Sequence, residues 1–301
     1  MNREYVSPLD AGKAEFDFRP LFALPRDNFL IVTPGLASLG FFEAVTRSLR
    51  GTGYPNLESL LGDAIENVVA DAFRAAGLNV TVAGKEYSET GAAKEPALGE
   101  CDVVVETSNV VTLVELKKKP LRRISAGGDA AAGLVDLNAS LFAAQSQLAR
   151  HEVTLLRCGE LRFKNGYVLE LKGRTIVRIA MTWLDYGSPQ DKYLLSQVFK
   201  VLLGIRLTTD HPTEGKKLAK LNETIEALER EVGELVGLGK DERTLFMNCW
   251  FLSTPQLMLL LDGVASDAQF EARLRALGHL TYRTLDFYRE VAIAREGKLV
   301  S

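Results

Sequence analysis

The chain has 301 residues, of which 47% are apolar and 25% charged, and a formal net charge of −3. This is the composition of an ordinary globular protein with one large core or two smaller ones, and the charge does not advertise a nucleic-acid binder. No apolar run approaches bilayer length, the start Met1-Asn2-Arg3-Glu4 does not read as a signal peptide, and Cys101, Cys158 and Cys249 lie far apart without a C-x-x-C pair. A membrane span and a structural zinc are therefore not expected, and a reducing, cytoplasmic setting is. His151, His211 and His279 are equally scattered and read as packed or surface residues.

Residues 1–55 predict an arm and a short helix that pack on the core. Phe16, Phe18, Leu21, Phe22 and Leu24 alternate loosely with polar residues, Pro20, Pro25 and Pro34 interrupt them, and a short helix through Phe41, Phe42 and Val45 stops at Gly51. Asn56 suits the N-cap of the next helix and Gly77 its C′ position. The helix buries Leu57, Leu61, Ile65, Val68, Val69, Ala72 and Phe73. Two acids on it compete for a role: Glu58 lies close to the apolar stripe, and Glu66 lies beside its edge near Phe73. A strand over Leu78–Val82 follows, and then a long polar loop, Ala83–Leu98.

From Gly99 to Lys117, two runs rich in Val and Thr flank Ser108-Asn109, which predicts a β-hairpin. With Ser108 and Asn109 as the two-residue turn, Asp102 falls opposite Glu115 and Glu100 opposite Lys117. Side chains alternate faces along a strand, so Glu115 and Lys117 point the same way and Asp102 joins them across the ladder. Directly opposed carboxylates repel. Hard oxygen ligands beside an ammonium suit Mg²⁺ and a phosphodiester; the alternative is a hairpin whose polar face is merely solvated.

Asp102, twelve intervening residues and Glu115-Leu116-Lys117 resemble the core of the PD-(D/E)XK nuclease superfamily, and Gly99-Glu100-Cys101-Asp102 resembles its Gly-Glu-hydrophobic-Asp variant. Cys101 stands where the family has Pro. The resemblance implies an α/β, restriction-endonuclease-like mixed sheet flanked by helices over residues 56–190. It also implies Mg²⁺-dependent hydrolysis of nucleic acid, with DNA favoured over RNA though the sequence does not decide between them, and with Mn²⁺ as a substitute ion. On this resemblance Asp102 and Glu115 hold the metal, the Leu116 carbonyl is a further ligand, and Lys117 orients the water. Gly62-x-x-Ile65-Glu66 resembles the family's first helix, which favours Glu66 over Glu58 as the helix acid and further metal ligand. Microbial defence, restriction and repair all use this fold.

From Lys117 to Arg178 the chain has twelve Lys or Arg against five Asp or Glu, a local balance of 12 − 5 = +7, and Lys118, Lys119, Arg122 and Arg123 lie at its start. These four are expected to meet phosphates. No G-x-x-x-x-G-K-[ST] phosphate loop is present. A helix from about Leu134 to His151 carries Gln145 and Gln147. In branches of the superfamily a Gln on this helix reaches the active site, and Gln147-x-x-x-His151 loosely resembles a Gln-x-x-x-Tyr motif; an exposed helix Gln is the plainer reading. Strands are predicted at Val153–Leu156, Leu161–Phe163, Tyr167–Leu171 and Thr175–Thr182.

Residues 191–301 read as a helical C-terminal domain. Leu218, Leu221, Ile225, Leu228, Val232 and Leu235 repeat at 3, 4, 3, 4, 3, a two-per-heptad seam. Intramolecular packing is the preferred use of that seam, with a homodimer or a protein partner through the C-terminal helices as its rival. Two other function classes stand beside the nuclease: a catalytically silent nuclease-like subunit that binds nucleic acid or a partner, and an interaction protein working through the heptad helix.

Overall fold

The computed structural model describes Ser7 and residues 21–31, 41, 45, 48–49, 51–118, 121–122, 125, 130–210, 212–242, 244–279 and 282–296. The expected Phe16 and Phe18 positions, most of the helix expected around Phe42, Lys119, Arg123 and His211 lie outside these residues. The chain divides into two compact units, one formed by 1–62 with 120–136 and the other by 63–119 with 137–301.

In the first unit β1 (Leu21–Leu24) and β2 (Asn28–Ile31) pair antiparallel, joined by a turn in which Arg26 and Asp27 have φ of 63° and 56°. Asp136 is fully buried and is surrounded by donors: Arg122 N at 2.9 Å, Arg122 Nε at 2.7 Å and Ser125 Oγ at 2.6 Å. A buried carboxylate needs such partners, so Arg122 has a structural role here.

The second unit is built on a seven-stranded mixed sheet, in the order β7-β6-β3-β4-β5-β8-β9, flanked by helices. Helix α1 (Leu57–Ala75) leads into it and ends as expected at Gly77. The Gly77 φ of 76° lets Gly77 N reach Arg74 O and Leu78 N reach Phe73 O. A Cβ there would also sit 3.1 Å from Ala265 O, so both conformation and close approach call for glycine.

Strand β3 runs over Asn79–Ser88, six residues past the expected Val82. Lys85 and Glu86 are exposed, so their polarity suggested a loop, yet β4 pairs alongside them and β6 joins at Tyr87 and Ser88. Strands β4 (Gly99–Glu106) and β5 (Val110–Lys117) form the expected hairpin. Their pairing Val103↔Val114 through Glu106↔Val111 is the register that centres the turn on Ser108-Asn109. The ladder stops at Val103, so neither expected pair, Asp102 with Glu115 or Glu100 with Lys117, belongs to it, although its register continued by one step would bring Asp102 opposite Glu115.

Helix α2 (Ala130–Leu137), a π-helical turn over Asn138–Phe142 and α3 (Ala143–Cys158) follow without a break. The strand expected at Val153–Leu156 is the last part of α3. The stop signal is Gly159, whose φ of 75° lets its N–H close on Leu155 O, and β-branched Val153 and Thr154 are carried through by burial and by a Thr154 Oγ1 bond to Arg150 O. Strands β6 (Glu160–Phe163) and β7 (Val168–Glu170) form one sheet edge, and β8 (Thr175–Thr182) lies parallel to β5.

The division expected at residue 190 does not separate compact units. After α4 (Lys192–Leu202) and α5 (Pro212–Gly237), strand β9 (Cys249–Ser253) pairs parallel with β8 and completes the sheet, followed by α6 (Thr254–Leu261), α7 (Asp267–His279) and α8 (Phe287–Glu296). Cys249-Trp250-Phe251-Leu252 is buried on both faces, which in sequence looks the same as helix core. One face of the sheet packs Val103, Val105, Val114, Ile179, Met181, Trp250 and Leu252 against Val69, Phe73, Leu257, Phe270 and Leu274. Helix α3 lies against β5 and β8 and, on another side, against α5. In α5, Leu221, Ile225, Leu228 and Leu235 are buried, so the heptad seam serves this chain's own core. Among the described residues no helix is long and apolar enough to cross a membrane.

Candidate active site

The hairpin, the neighbouring strand β3 and helices α1 and α3 bring six of the candidate residues into one place. Asp102 and Glu115 come from facing strands. Asp102 is half-buried and its Oδ2 accepts a 2.7 Å hydrogen bond from Leu116 N. Leu116 therefore meets Asp102 through its N–H. Glu115 is 3% exposed; its Oε1 takes the Lys117 ammonium at 2.7 Å and its Oε2 is buried with no partner. Gln147 Oε1 is the second acceptor for Lys117 Nζ. Gln147 is thus partly buried and holds the lysine, and is not the exposed helix glutamine that the plainer reading of the sequence expects.

Burial first, then the charge of Asp102, pushes Glu115 up to about 7, although Lys117 pulls the other way. Burial also raises Asp102, against the Leu116 hydrogen bond and Lys117, which lower it. Burial and then Asp102, Asp63 and Glu100 push Glu66 up to about 7, opposed by Lys118. Glu66 is thus electrically part of the site, whereas Glu58 is exposed in the first turn of the helix. Of the two helix acids, Glu66 is the one brought to Asp102.

Gly84, which the sequence reading left in a loop, explains how Glu66 gets there. The β3–β4 pairs Ala83↔Val103 and Lys85↔Cys101 place Gly84 across from Asp102. Its φ is 55°, and a Cβ on it would lie 2.7 Å from Glu66 Oε2. The missing side chain leaves the space that the carboxylate occupies. A glycine inside a strand is the sequence signal for such an approach.

Gln145 does not join the site. Its Nε2 donates 3.0 Å to Trp250 O, tying α3 to β9. His151, one turn beyond Gln147, is buried and accepts or shares a 2.7 Å hydrogen bond with the Tyr87 hydroxyl; burial lowers it to about 4, so it stays neutral. This is the packed histidine expected. A Cβ on Gly99 would fall 2.6 Å from the Tyr87 oxygen, so the first residue of the motif is constrained by this pair.

Most of the described cations along 117–178 are paired with acids in three dimensions. Lys117, Arg122, Arg150, Arg157, Arg162, Lys164, Lys172, Arg174 and Arg178 each stand within 4 Å of a carboxylate. Several of those acids, Glu86, Glu106, Glu231 and Glu234, lie outside the counted window. Counting along the chain does not count in space. Lys118 remains beside the carboxylates, acting on both Asp102 and Glu66.

Among the described residues no three His, Cys, Asp or Glu side chains are grouped as a metal cage. Comparison with protein-family models, with curated proteins and with solved structures finds no match for this chain.

Proposed function

We propose that the protein is a Mg²⁺-dependent nuclease of restriction-endonuclease-like fold, acting on DNA in preference to RNA. The observation that carries the reading is the Glu115 carboxylate: one oxygen grips Lys117, the other is buried without a partner, and Asp102 crowds it with like charge. A bound cation relieves both the orphaned oxygen and the repulsion. Mg²⁺ commonly binds through one or two carboxylates and keeps its remaining positions for water and phosphate, so a full protein cage is not needed. Asp102 and Glu115 would hold it, with the Leu116 carbonyl alongside. Bound there, the ion would polarise a phosphate and lower the pKa of a water.

The chain's own residues divide the remaining work. Lys117, fixed between Glu115 and Gln147, offsets negative charge building on the phosphoryl oxygens. Glu66, with a pKa of about 7, can accept or release a proton near neutral pH. Gly84 keeps its carboxylate within reach of Asp102. The test is incubation with labelled single- and double-stranded DNA and RNA, with and without Mg²⁺ or Mn²⁺. Metal-dependent cleavage lost in Glu115→Ala supports the reading. Metal-dependent binding with no cleavage of any substrate replaces it with a silent nuclease-like subunit, and neither binding nor cleavage overturns both.

A further inference from the structure

The parallel strands β5, β8 and β9 end side by side: Lys117 pairs with Thr182, and Thr182 with Ser253. In open sheets with parallel strands, ligands lie outside the carboxyl ends of those strands. Glu115 and Lys117 sit at that end of β5. The segment that leaves β8 is one strand spacing from them, about 4.8 Å. Its first residue is Trp183.

Two observations set Trp183 apart from a core tryptophan. The first is burial. Trp250, the chain's other tryptophan, is 2% exposed, whereas Trp183 is half-buried: it packs against the apolar cluster beneath the sheet, as Leu116 does, and leaves the rest of its surface in water. Helix α1, which brings Glu66 to the site, packs on the same cluster through Ile65 and Val69. Lys118, exposed, acts from β5 on both Glu66 and Asp102. The second observation is that the bend behind Trp183 is fixed from within. Thr182 Oγ1 donates to Leu184 O at 2.8 Å, and buried Gln190 binds Thr182 Oγ1 at 3.4 Å, Tyr186 N at 2.8 Å and Gln256 Nε2 at 3.3 Å. Asp185 is taken up by Ser253 Oγ and by the Tyr288 hydroxyl at 2.8 Å. A loop pinned this way presents its exposed side chain with little freedom left to lose on contact.

Resting on the nuclease reading above, we propose that Trp183 stacks on an unpaired base beside the scissile phosphate, which makes single-stranded DNA the substrate at the point of cleavage. An indole takes a base whose own face is uncovered. In a duplex the neighbouring bases cover both faces, and a base must be unstacked before it can reach the ring. Stacking tolerates any sequence because every base has a π-face, so Trp183 selects strandedness and not a particular base. Lys118 supplies the adjoining positive charge for the backbone.

The test is titration of the metal-free full chain, followed by tryptophan fluorescence and by anisotropy of a labelled strand. The three probes are oligothymidylate, an abasic single strand of the same length and a fully paired duplex. Oligothymidylate is expected to quench the emission and to bind about tenfold more tightly than the abasic strand, which has the phosphates without the bases; the duplex leaves the emission unchanged. Trp183→Phe keeps a ring and is expected to retain thymidylate binding while losing the quench. Trp183→Leu keeps an apolar contact with the cluster and is expected to bind thymidylate and abasic strands alike. Equal binding of those two strands by the wild type, a preference that survives in Trp183→Leu, or a quench that survives in Trp183→Phe overturns the proposal and leaves the nuclease reading standing. Binding of none of the three probes overturns both. Should Trp183→Leu fail to fold, the wild-type comparison of thymidylate with the abasic strand decides.

Discussion

Asn109 and Glu271, 162 residues apart, are joined by a two-point clasp: Asn109 N donates to Glu271 Oε1 at 3.1 Å and Asn109 Nδ2 to Oε2 at 2.9 Å. Thr107 Oγ1 adds a third bond, to Oε1 at 2.7 Å. The far end of the hairpin that carries Asp102 and Glu115 is thus held by α7. Despite burial, these three donors hold the Glu271 carboxyl below its usual range. Glu271→Ala should destabilise the protein by about 1–3 kcal/mol, since the buried Thr107 hydroxyl and the two Asn109 donors lose a charged acceptor. Denaturant melts check this; an unchanged midpoint would mean that water replaces the clasp fully.

Relief of crowding at the carboxylate pair gives a prediction of the opposite sign. Asp102→Asn and Glu115→Gln each remove one of two mutually repelling groups. Each should raise metal-free thermal stability or leave it unchanged, while Mg²⁺ no longer stabilises the variant and cleavage disappears. A parallel set of melts with and without Mg²⁺ reads this out, and a normal Mg²⁺ shift in Glu115→Gln counts against the site.

The pH dependence has a defined direction. Glu66 and Glu115 are held at about 7 in the folded protein against an ordinary 4.5. A carboxyl whose folded pKa is raised stabilises below its unfolded value and loses that stability as pH rises through the folded one. The metal-free protein should therefore lose stability at these groups between about pH 4.5 and pH 7. Mg²⁺ competes with the same protons, so its stabilising effect and any cleavage should grow through about pH 7. Melts at fixed ionic strength from pH 5 to pH 8 test both trends.

Lys117→Ala removes the cation that Glu115 and Gln147 hold. Metal affinity should rise slightly or stay level, because Glu115 gains a free oxygen, whereas turnover should fall by about 10²–10³ as for loss of an electrostatic transition-state contact. Separate measurement of Mg²⁺ binding and single-turnover cleavage distinguishes the two effects. Unchanged cleavage removes Lys117 from the mechanism.

Gly84→Ala puts a methyl 2.7 Å from Glu66 Oε2 at a backbone φ of 55°. The conformational cost alone is about 1 kcal/mol, and the carboxylate must retreat from Asp102. Activity should drop in Gly84→Ala, and in a Glu66→Ala background the same substitution should add little further loss. Additive losses in that double-mutant cycle would show that Gly84 acts by another route.

How much of this was legible in the sequence depended on whether the signal was local. The hairpin register followed from Ser108-Asn109 and the flanking Val and Thr residues, and so Asp102 and Glu115 were placed without the structure. Gly77 marked a real helix end, and the heptad spacing of α5 marked a real buried face. The misses were long-range. Val153–Leu156 have strand-forming residues but inherit the helix from upstream, and only Gly159 stops it. Cys249–Ser253 is apolar on both faces, which says buried but not strand. Part of the +7 stretch is met by Glu231 and Glu234, about eighty residues along the chain from Arg150 and Arg157, and the hold of Glu271 on the turn crosses 162 residues; neither leaves a local trace.

The position of β9 beside β8 has a consequence during synthesis. Arg178↔Cys249 and Thr182↔Ser253 are neighbouring backbones separated by about seventy residues of chain, so β8 emerges from the ribosome long before its partner. Until then Ile179, Ala180 and Met181 lie on an open sheet edge, a surface on which nascent chains associate. Folding of the unit must wait for nearly its last elements, and a chain released before residue 249 should be insoluble although it carries Asp102, Glu115 and Lys117 intact.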